Sequence, residues 1–224
     1  FIFLSALITL PNLGLWQLDR LEWKNELLNN ISSRQSAENI IFPYNERIKD
    51  FEYRNTSVEG KFIENTQTFF FRPNLSGQSG YNVVSAFKTI DDSVIYIDIG
   101  WIPFEQKENM GFLDIDYNKN FSLKGILISS KQRNMFSPEN DYIKNIWYTL
   151  SSTEMNQFYK LNGSFFILKI IDQNYFEQTL IEFNPTQIPN NHLQYAGTWF
   201  LLFIVVGVLY FYQVYQIIRI KWNT

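Results

Sequence analysis

The stretch Leu193–Ile218 reads LQYAGTWFLLFIVVGVLYFYQVYQII and holds 26 residues without a charge. A membrane-spanning helix needs about 20 predominantly apolar residues, so this stretch predicts a transmembrane helix. Arg219 and Lys221 close the run. Aromatic residues gather at its two ends, as is typical of membrane interfaces, and they are Tyr195, Trp199, Tyr210, Phe211, Tyr212 and Tyr215. A buried core helix is the alternative, which the length and the basic end disfavour.

A second uncharged run, FIFLSALITLPNLGLWQL, opens the chain at Phe1–Leu18. A signal peptide is one interpretation, but the run has no small-residue cleavage site and passes directly into an amphipathic pattern. We therefore predict a first transmembrane helix over 1–18, kinked at Pro11, and an amphipathic interfacial helix over 19–32. Because Phe1 lies inside the apolar run, we expect the native N-terminus to be upstream of it.

The distribution of basic residues predicts how these helices are oriented. No Lys or Arg lies between Lys169 and Arg219, whereas Arg219 and Lys221 follow the second helix. By the positive-inside rule, residues 219–224 form a cytoplasmic tail. A hairpin of two transmembrane helices, the second over 193–218, then carries residues 33–189 outside the cytoplasm. We favour a bacterial plasma membrane with this domain in the periplasm; a mitochondrial inner membrane, with the domain in the intermembrane space, is the alternative.

The intervening residues predict an inserted α+β domain whose strands are mostly antiparallel. Val94–Ile99 alternates as a strand does, and Asp91–Ser93 offers turn chemistry that joins it to Tyr81–Ile90. Ser151–Glu154 resembles a capping box that opens a helix through Tyr159. Further β-branched or aromatic runs predict strands at Thr56–Phe62, Gln67–Phe71, Phe121–Ser129, Phe165–Asp172 and Thr179–Phe183.

Composition excludes several function classes. The 224 residues carry 19 basic and 22 acidic side chains, so the net charge of −3 offers no broad attraction for nucleic acid. The absence of cysteine excludes disulfides, zinc knuckles and iron–sulfur clusters, and the single histidine, His192, excludes a multi-histidine metal site. The carboxylate pairs Asp91–Asp92 and Asp114–Asp116 lie in turn-like contexts, which favours solvated loop residues over acid–base machinery.

Two stripes separate on the helix predicted around Gly14–Leu28. One of them mixes indoles with cations and consists of Trp16, Arg20, Trp23, Lys24 and Leu27. Such a stripe suits the membrane–water boundary, where indoles lie at headgroup depth. The alternative is that Arg20 and Lys24 bind the acidic groups of a ligand or partner.

His192 follows two asparagines at the entry to the second helix. Asparagine is a favourable N-cap, so His192 falls in the first turn, where the helix dipole favours the neutral imidazole that binds metals. The alternative is an interfacial histidine hydrogen-bonded to a headgroup or a loop carbonyl. The predicted topology places His192 in the same leaflet as Trp16–Arg20, so a flat ligand with acidic groups could contact both.

Both membrane junctions resemble the Surfeit locus protein 1 family. GLWQLDRLEWK at Gly14–Lys24 is similar to the family motif that follows the first membrane helix, and PNNHLQYAGTWF at Pro189–Phe200 is similar to the motif that opens the second. Weaker matches fall between them in the family's order at Val58–Phe62, Gly80–Tyr81, Gly100–Pro103 and Asn145–Tyr148. The resemblance spans essentially the whole chain.

This resemblance implies a non-enzymatic assembly factor for haem-copper terminal oxidases, notably cytochrome c oxidase. Its expected partners are oxidase subunit I, other oxidase assembly factors and the lipid bilayer, and its expected cofactor is haem a. The resemblance implies that His192 ligates the haem iron, and we expect Arg20, Lys24, Trp16 and Trp199 to complete the cofactor site. A scaffold that binds oxidase subunits without haem, or an unrelated membrane-anchored ligand-binding module, are the alternatives.

The chain departs from the family pattern at two places. Asp98–Ile99 stands where the family usually has Asn-Arg, which removes a cation from that strand end. Thr149–Ser151 lacks the acidic residue that the family tends to carry there. This chain therefore has no arginine at that strand end to make an anionic contact.

Overall fold

The computed structural model describes residues 2–44, 49–172, 175–181 and 190–222. The chain divides into two compact units, a helical unit of Phe1–Asn30 with Thr186–Thr224, and a sheet unit of Ile31–Pro185. The helices are α1 (Ile2–Ser36), α2 (Phe104–Met110), α3 (Ser152–Tyr159) and α4 (His192–Trp222), with a short 3₁₀ helix at Lys49–Phe51. The strands are β1 (Asn55–Phe62), β2 (Thr68–Phe71), β3 (Gly80–Thr89), β4 (Val94–Pro103), β5 (Phe121–Ser129), β6 (Ile146–Trp147) and β7 (Gly163–Ile170).

Helix α4 confirms the predicted apolar helix near the end of the chain. Its segment His192–Ile220 is long and apolar enough to cross a membrane and is not buried inside the protein. Within the described ranges it is the one helix that meets this criterion. Helix α1 is a single uninterrupted helix that continues through Pro11, and its charged residues begin at Asp19. The structure therefore shows an N-terminal helix and an apolar C-terminal helix, and two membrane spans remain a proposal.

Within the helical unit, α1 and α4 pack side by side with opposite chain directions. Their contacts join Phe3 to Tyr210, Leu7 to Gly207 and Gly14 to Phe200. Gly14 is buried, and a Cβ built on it would lie 2.7 Å from the Phe200 ring. A larger residue at this position would force the helices apart or displace the ring, because small residues allow such close approach. Gly14 thus sets the register of the pair.

In the sheet unit, seven strands form one sheet in the order β1-β5-β7-β4-β3-β2-β6. Strand β1 also pairs with β3, so β1, β5, β7, β4 and β3 close into a ring, and β2 and β6 extend from it. Gly60 lies where β1 passes from β5 to β3, and a Cβ there would lie 2.0 Å from the Lys88 carbonyl oxygen. Most pairings are antiparallel, as predicted, but β4–β7 and β2–β6 are parallel.

The predicted strands and turns are confirmed with one exception. The β3–β4 hairpin turns at Asp91–Ser93, and Ser151 Oγ accepts a hydrogen bond from the Glu154 N–H, 3.2 Å apart, at the start of α3. Thr179–Phe183 was expected to be a strand, but Leu180 makes only an isolated antiparallel bridge to Trp101. The last two residues of that prediction lie outside the described ranges. Sequence patterns missed α2 and β6, which are short and carry no strong periodicity.

The core of the sheet unit lies on both sides of β3 and β4, whose residues are almost continuously buried. On one side Phe62 makes edge contacts with the rings of Phe87, Phe121 and Phe176. On the other side the Tyr96 hydroxyl donates to Asn156 Oδ1, 2.8 Å away, beneath α3. Burial, with a smaller contribution from Tyr159, raises the pKa of Tyr96 far above its usual value.

A buried ion pair links the central strands. Lys169 Nζ on β7 donates to Asp98 Oδ2 on β4 at 2.9 Å, and both side chains are at most 5% exposed. Asn82 on β3 donates to the same carboxylate, and the Gly100 N–H donates to Asp98 Oδ1. Asp98 is therefore fully hydrogen-bonded. The charge of this buried residue is compensated by a lysine 71 positions later.

Candidate functional site

His192 is the first residue of α4, as the N-cap interpretation predicted. The carbonyl of Asn191 accepts the Tyr195 N–H at 3.1 Å, which closes the first turn of the helix. The His192 side chain is half-buried and belongs to the helical unit, where α4 packs against α1.

The imidazole of His192 is held by a residue that the sequence analysis did not select. Gln17 Oε1 on α1 lies 2.7 Å from His192 Nδ1. In the part of the chain that the structure describes, the other ring nitrogen, Nε2, has no hydrogen-bond partner. A carboxamide oxygen only accepts, so in the neutral ring this geometry places the proton on Nδ1 and a lone pair on Nε2.

A second polar contact joins the same two segments. Asn190 Nδ2 donates to Asn25 Oδ1 at 3.0 Å. The Asn190 Oδ1 atom is buried and has no partner among the described residues. The Asn25–Asn190 and Gln17–His192 bonds therefore fix the first residues of α4 against α1.

The predicted stripe of indoles and cations is present on α1. The Arg20 guanidinium carbon lies 5.6 Å from the ring centre of Trp16 and 5.7 Å from that of Trp23. Both indoles are about half exposed, at 48% and 53%. Each contact is a cation–π interaction, so Arg20 is ordered between two aromatic rings although it remains at the surface.

Lys24 and Trp199 lie on opposite sides of the Gln17–His192 bond along the helix pair. Lys24 follows Gln17 by seven residues on α1, and Trp199 follows His192 by seven residues on α4. Seven residues are nearly two helical turns, or about 10 Å along the axis, and because the helices run in opposite directions the two steps lead away from each other. Both side chains are half-buried. Within the described residues neither hydrogen-bonds to His192.

The donor set at this site limits the ligand it can hold. Across the described residues, no cluster of three or more His, Cys, Asp or Glu side chains could bind a metal ion. A protein site for a bare zinc ion generally uses three or four ligands. A metal already chelated by a planar macrocycle needs only axial ligands, and its acidic substituents suit Arg20 and Lys24. Haem fits this combination of one imidazole, two cations and several indoles.

One member of each carboxylate pair, Asp92 and Asp116, makes a local contact. Asp92 is exposed and pairs with Lys88 Nζ at 2.7 Å, and this hydrogen bond lowers the pKa of Asp92. Asp116 Oδ1 accepts the Asn118 N–H at 3.0 Å, as is common in a turn. These carboxylates are accounted for as local turn and surface interactions.

The sheet unit has an exposed aromatic surface that the sequence analysis missed. Tyr81 stacks on Phe104 at a centroid distance of 5.7 Å and also contacts Phe71, which contacts Tyr148. Phe71, Phe104 and Tyr148 are each 37% to 40% exposed. We call Phe71, Phe104 and Tyr148 the aromatic surface; Tyr81, which is only 1% exposed, lies beneath them. Its residues come from different elements, so no local pattern indicates that they meet.

Comparisons with known proteins match most of the chain. The SURF1 family model matches residues 4–204. A SURF1-like protein of Rickettsia prowazekii (strain Madrid E) is 31% identical over 217 residues, which cover 94% of this chain and 87% of that protein. Surfeit locus protein 1 of Homo sapiens is 26% identical over 234 residues, which cover 94% of this chain and 76% of that protein.

Proposed function

Because this chain belongs to the SURF1 family, we propose that it is a membrane-anchored, non-enzymatic assembly factor for a haem-copper terminal oxidase. In this role it binds haem a and assists its insertion into oxidase subunit I, beside other assembly factors. The observation that carries the proposal is the chain's only imidazole, which hydrogen-bonds through Nδ1 and leaves Nε2 available. The family resemblance supplies the oxidase and the haem type.

Each residue of the site has a distinct part in holding haem. His192 Nε2 is the iron ligand, and Arg20 and Lys24 bind the propionates through charge-assisted hydrogen bonds. Trp16 and Trp199 provide aromatic contact for the porphyrin. Bound haem would supply the iron, and this chain's residues bind and orient it until transfer. One imidazole per chain means that a monomer contributes at most one histidine to the iron.

We further propose that α1 and α4 form a membrane hairpin with both ends in the cytoplasm. The side-by-side packing of α1 against the apolar α4 supports two crossings, and Arg219 and Lys221 support the orientation. The sheet unit is then extracytoplasmic. We assign it to the periplasm of a bacterium, with the mitochondrial intermembrane space as the alternative.

The absence of native cysteine makes this topology testable. Gln132 in the sheet unit and Trp222 after the span are both exposed. In intact bacteria, we expect Gln132→Cys to react with a membrane-impermeant sulfonated maleimide and Trp222→Cys to react only after the membrane is permeabilised. Reaction of position 222 but not 132 in intact cells would show the opposite orientation.

Deletion of the gene tests the role in oxidase assembly. In a strain without a paralogue, we expect lower haem-copper oxidase activity and a weaker haem a absorbance, while the oxidase subunits are still synthesised. The physical reason is that loss of a haem carrier slows cofactor insertion and does not affect translation. The measurements are membrane difference spectra, oxygen consumption and immunoblots of subunit I. Unchanged spectra and activity would overturn the proposed function.

A second function, a scaffold that binds oxidase subunits without haem, is favoured by the aromatic surface. Exposed clusters of apolar rings are typical of protein contact sites. Co-purification of subunit I with a chain that carries no haem, at wild-type levels in His192→Ala, would favour the scaffold over the haem carrier.

A further inference from the structure

We propose that Gln17 is a positioning residue that fixes the tautomer and the ring orientation of His192, so that Nε2 faces the ligand. The inference rests on the proposed function for its purpose, but its structural content is a property of the chain without haem. Nothing in the motif GLWQLDRLEWK indicates by itself that this glutamine meets a residue 175 positions away.

The hydrogen bond from the imidazole to Gln17 selects one tautomer of His192. A neutral imidazole has one N–H and one lone pair. Gln17 Oε1 lies 2.7 Å from Nδ1, a distance typical of a short hydrogen bond, and a carbonyl oxygen can only accept. The proton therefore resides on Nδ1, and Nε2 is left as the metal-binding atom. Without the acceptor, the ring could exchange tautomers and rotate about its side-chain bonds.

The packing of α1 against α4 holds Gln17 in a fixed position beside His192. Gln17 lies between Gly14, which packs on Phe200, and Asn25, which accepts from Asn190. These contacts hold α1 in register with α4 on both sides of the Gln17–His192 bond. Gln17 therefore couples the imidazole to a fixed helix pair, whereas the first residue of an isolated helix would be free to fray.

The hydrogen bond to Gln17 is expected to strengthen the binding of a metal by His192. Histidines that bind metals usually donate their other ring N–H to an acceptor, which orients the ring and raises its basicity. Removal of such an acceptor typically lowers metal affinity about 10-fold to 100-fold. A carboxylate in place of the carboxamide is a stronger acceptor and should make the imidazole a stronger donor to iron.

The tautomer can be read directly, because His192 is the only histidine. Protein labelled with ¹⁵N-histidine, in detergent micelles without haem and at a pH where the ring is neutral, gives one pair of ring nitrogen signals. We expect the wild type to show the Nδ1–H tautomer and Gln17→Leu to show a mixture of both. Gln194→Leu is the matched control, because Gln194 is an exposed residue of α4, and should resemble the wild type.

Haem titration of the same three proteins, together with Gln17→Glu and His192→Ala, completes the test. With ferric haem as the probe and Soret absorbance as the signal, we expect Gln17→Leu to bind about 10-fold to 100-fold more weakly. Gln17→Glu should retain binding and shift the haem midpoint potential to a more negative value. Gln194→Leu should match the wild type in both measurements.

The results distinguish failure of the proposed role of Gln17 from failure of the proposed function. An Nε2–H tautomer in the wild type, or Gln17→Leu and Gln17→Glu proteins with wild-type affinity and potential, would overturn the role of Gln17. Equal haem binding by the wild type and His192→Ala would instead overturn the proposed function. Equal losses in Gln17→Leu and Gln17→Glu, with lower melting temperatures and an unchanged tautomer, would show that Gln17 acts only in helix packing.

Discussion

Replacement of His192 by alanine is expected to abolish haem binding while the protein still inserts and folds. The imidazole is the only histidine ligand that the chain can offer, and its hydrogen bond to Gln17 belongs to the helical unit, so its loss removes no contact within the sheet unit. The measurement is the Soret absorbance per mole of protein purified from a haem a-producing host. Circular dichroism of the same samples checks the fold.

Variants of the neighbouring cations provide the graded comparison. Arg20→Ala and Lys24→Ala would remove the charges proposed to bind the propionates, so haem should be retained more weakly but not lost. Arg219→Ala, at the far end of α4, is the matched control and should leave haem content unchanged. Equal haem content in the wild type and His192→Ala would remove the ligand hypothesis and favour the scaffold.

The largest loss of stability is expected when the buried ion pair is left with one partner. Lys169→Met leaves the Asp98 carboxylate uncompensated at a site that is only 2% exposed. Breaking a buried pair in this way costs about 3–5 kcal/mol. Lys169→Met combined with Asp98→Asn removes both charges and retains an acceptor for Asn82 and the Gly100 N–H, so it should recover much of the loss.

The surface pair Lys88–Asp92 provides the matched control for this experiment. Its side chains are 54% and 84% exposed, so Lys88→Met should cost less than about 1 kcal/mol. Thermal unfolding of the full chain in detergent, followed by the fluorescence of tryptophan, measures each difference; Trp101 and Trp147 are buried reporters in the sheet unit. Similar melting temperatures for Lys169→Met and Lys88→Met would show that the buried ion pair contributes no more stability than the surface pair.

Much of the sheet unit could be predicted because its strands have a local signature. β1 alternates between buried and exposed residues, and β5 begins and ends at the residues that the sequence indicates. The closure of the ring could not be predicted in the same way. It depends on β1 leaving β5 and joining β3 at Gly60, and on a parallel pairing of β4 with β7, which are contacts between distant segments.

The candidate site also contains residues that the sequence indicates and one that it does not. His192 stands out because it is unique and lies next to an asparagine before an apolar helix, and Arg20 stands out beside two indoles. Gln17 is a neutral amide outside the stripe of indoles and cations, and it gains significance only from the register of α1 against α4. That register is set by the approach of Gly14 to Phe200, which no spacing within one helix reveals.

The partner of the buried charge in the sheet is also not predictable from the sequence alone. The sequence shows that Asp98 is the one charged residue in a strand of mainly apolar residues, Val94–Pro103. It does not show that Lys169 supplies the opposite charge from a neighbouring strand. The pairing of β4 with β7 creates this contact, so the compensation becomes visible only when the strand order is known.

The position of β7 within the ring determines when the sheet can close during synthesis. Among the residues that the structure describes, β7 is the last strand to be synthesised, yet it lies between β4 and β5. Until residues 163–170 leave the ribosome, these two strands expose unpaired backbone groups, which are potential sites of aggregation. A nascent chain that ends before Gly163 therefore presents two open sheet edges that the completed ring closes, and a nonsense mutation at that point would yield an aggregating product.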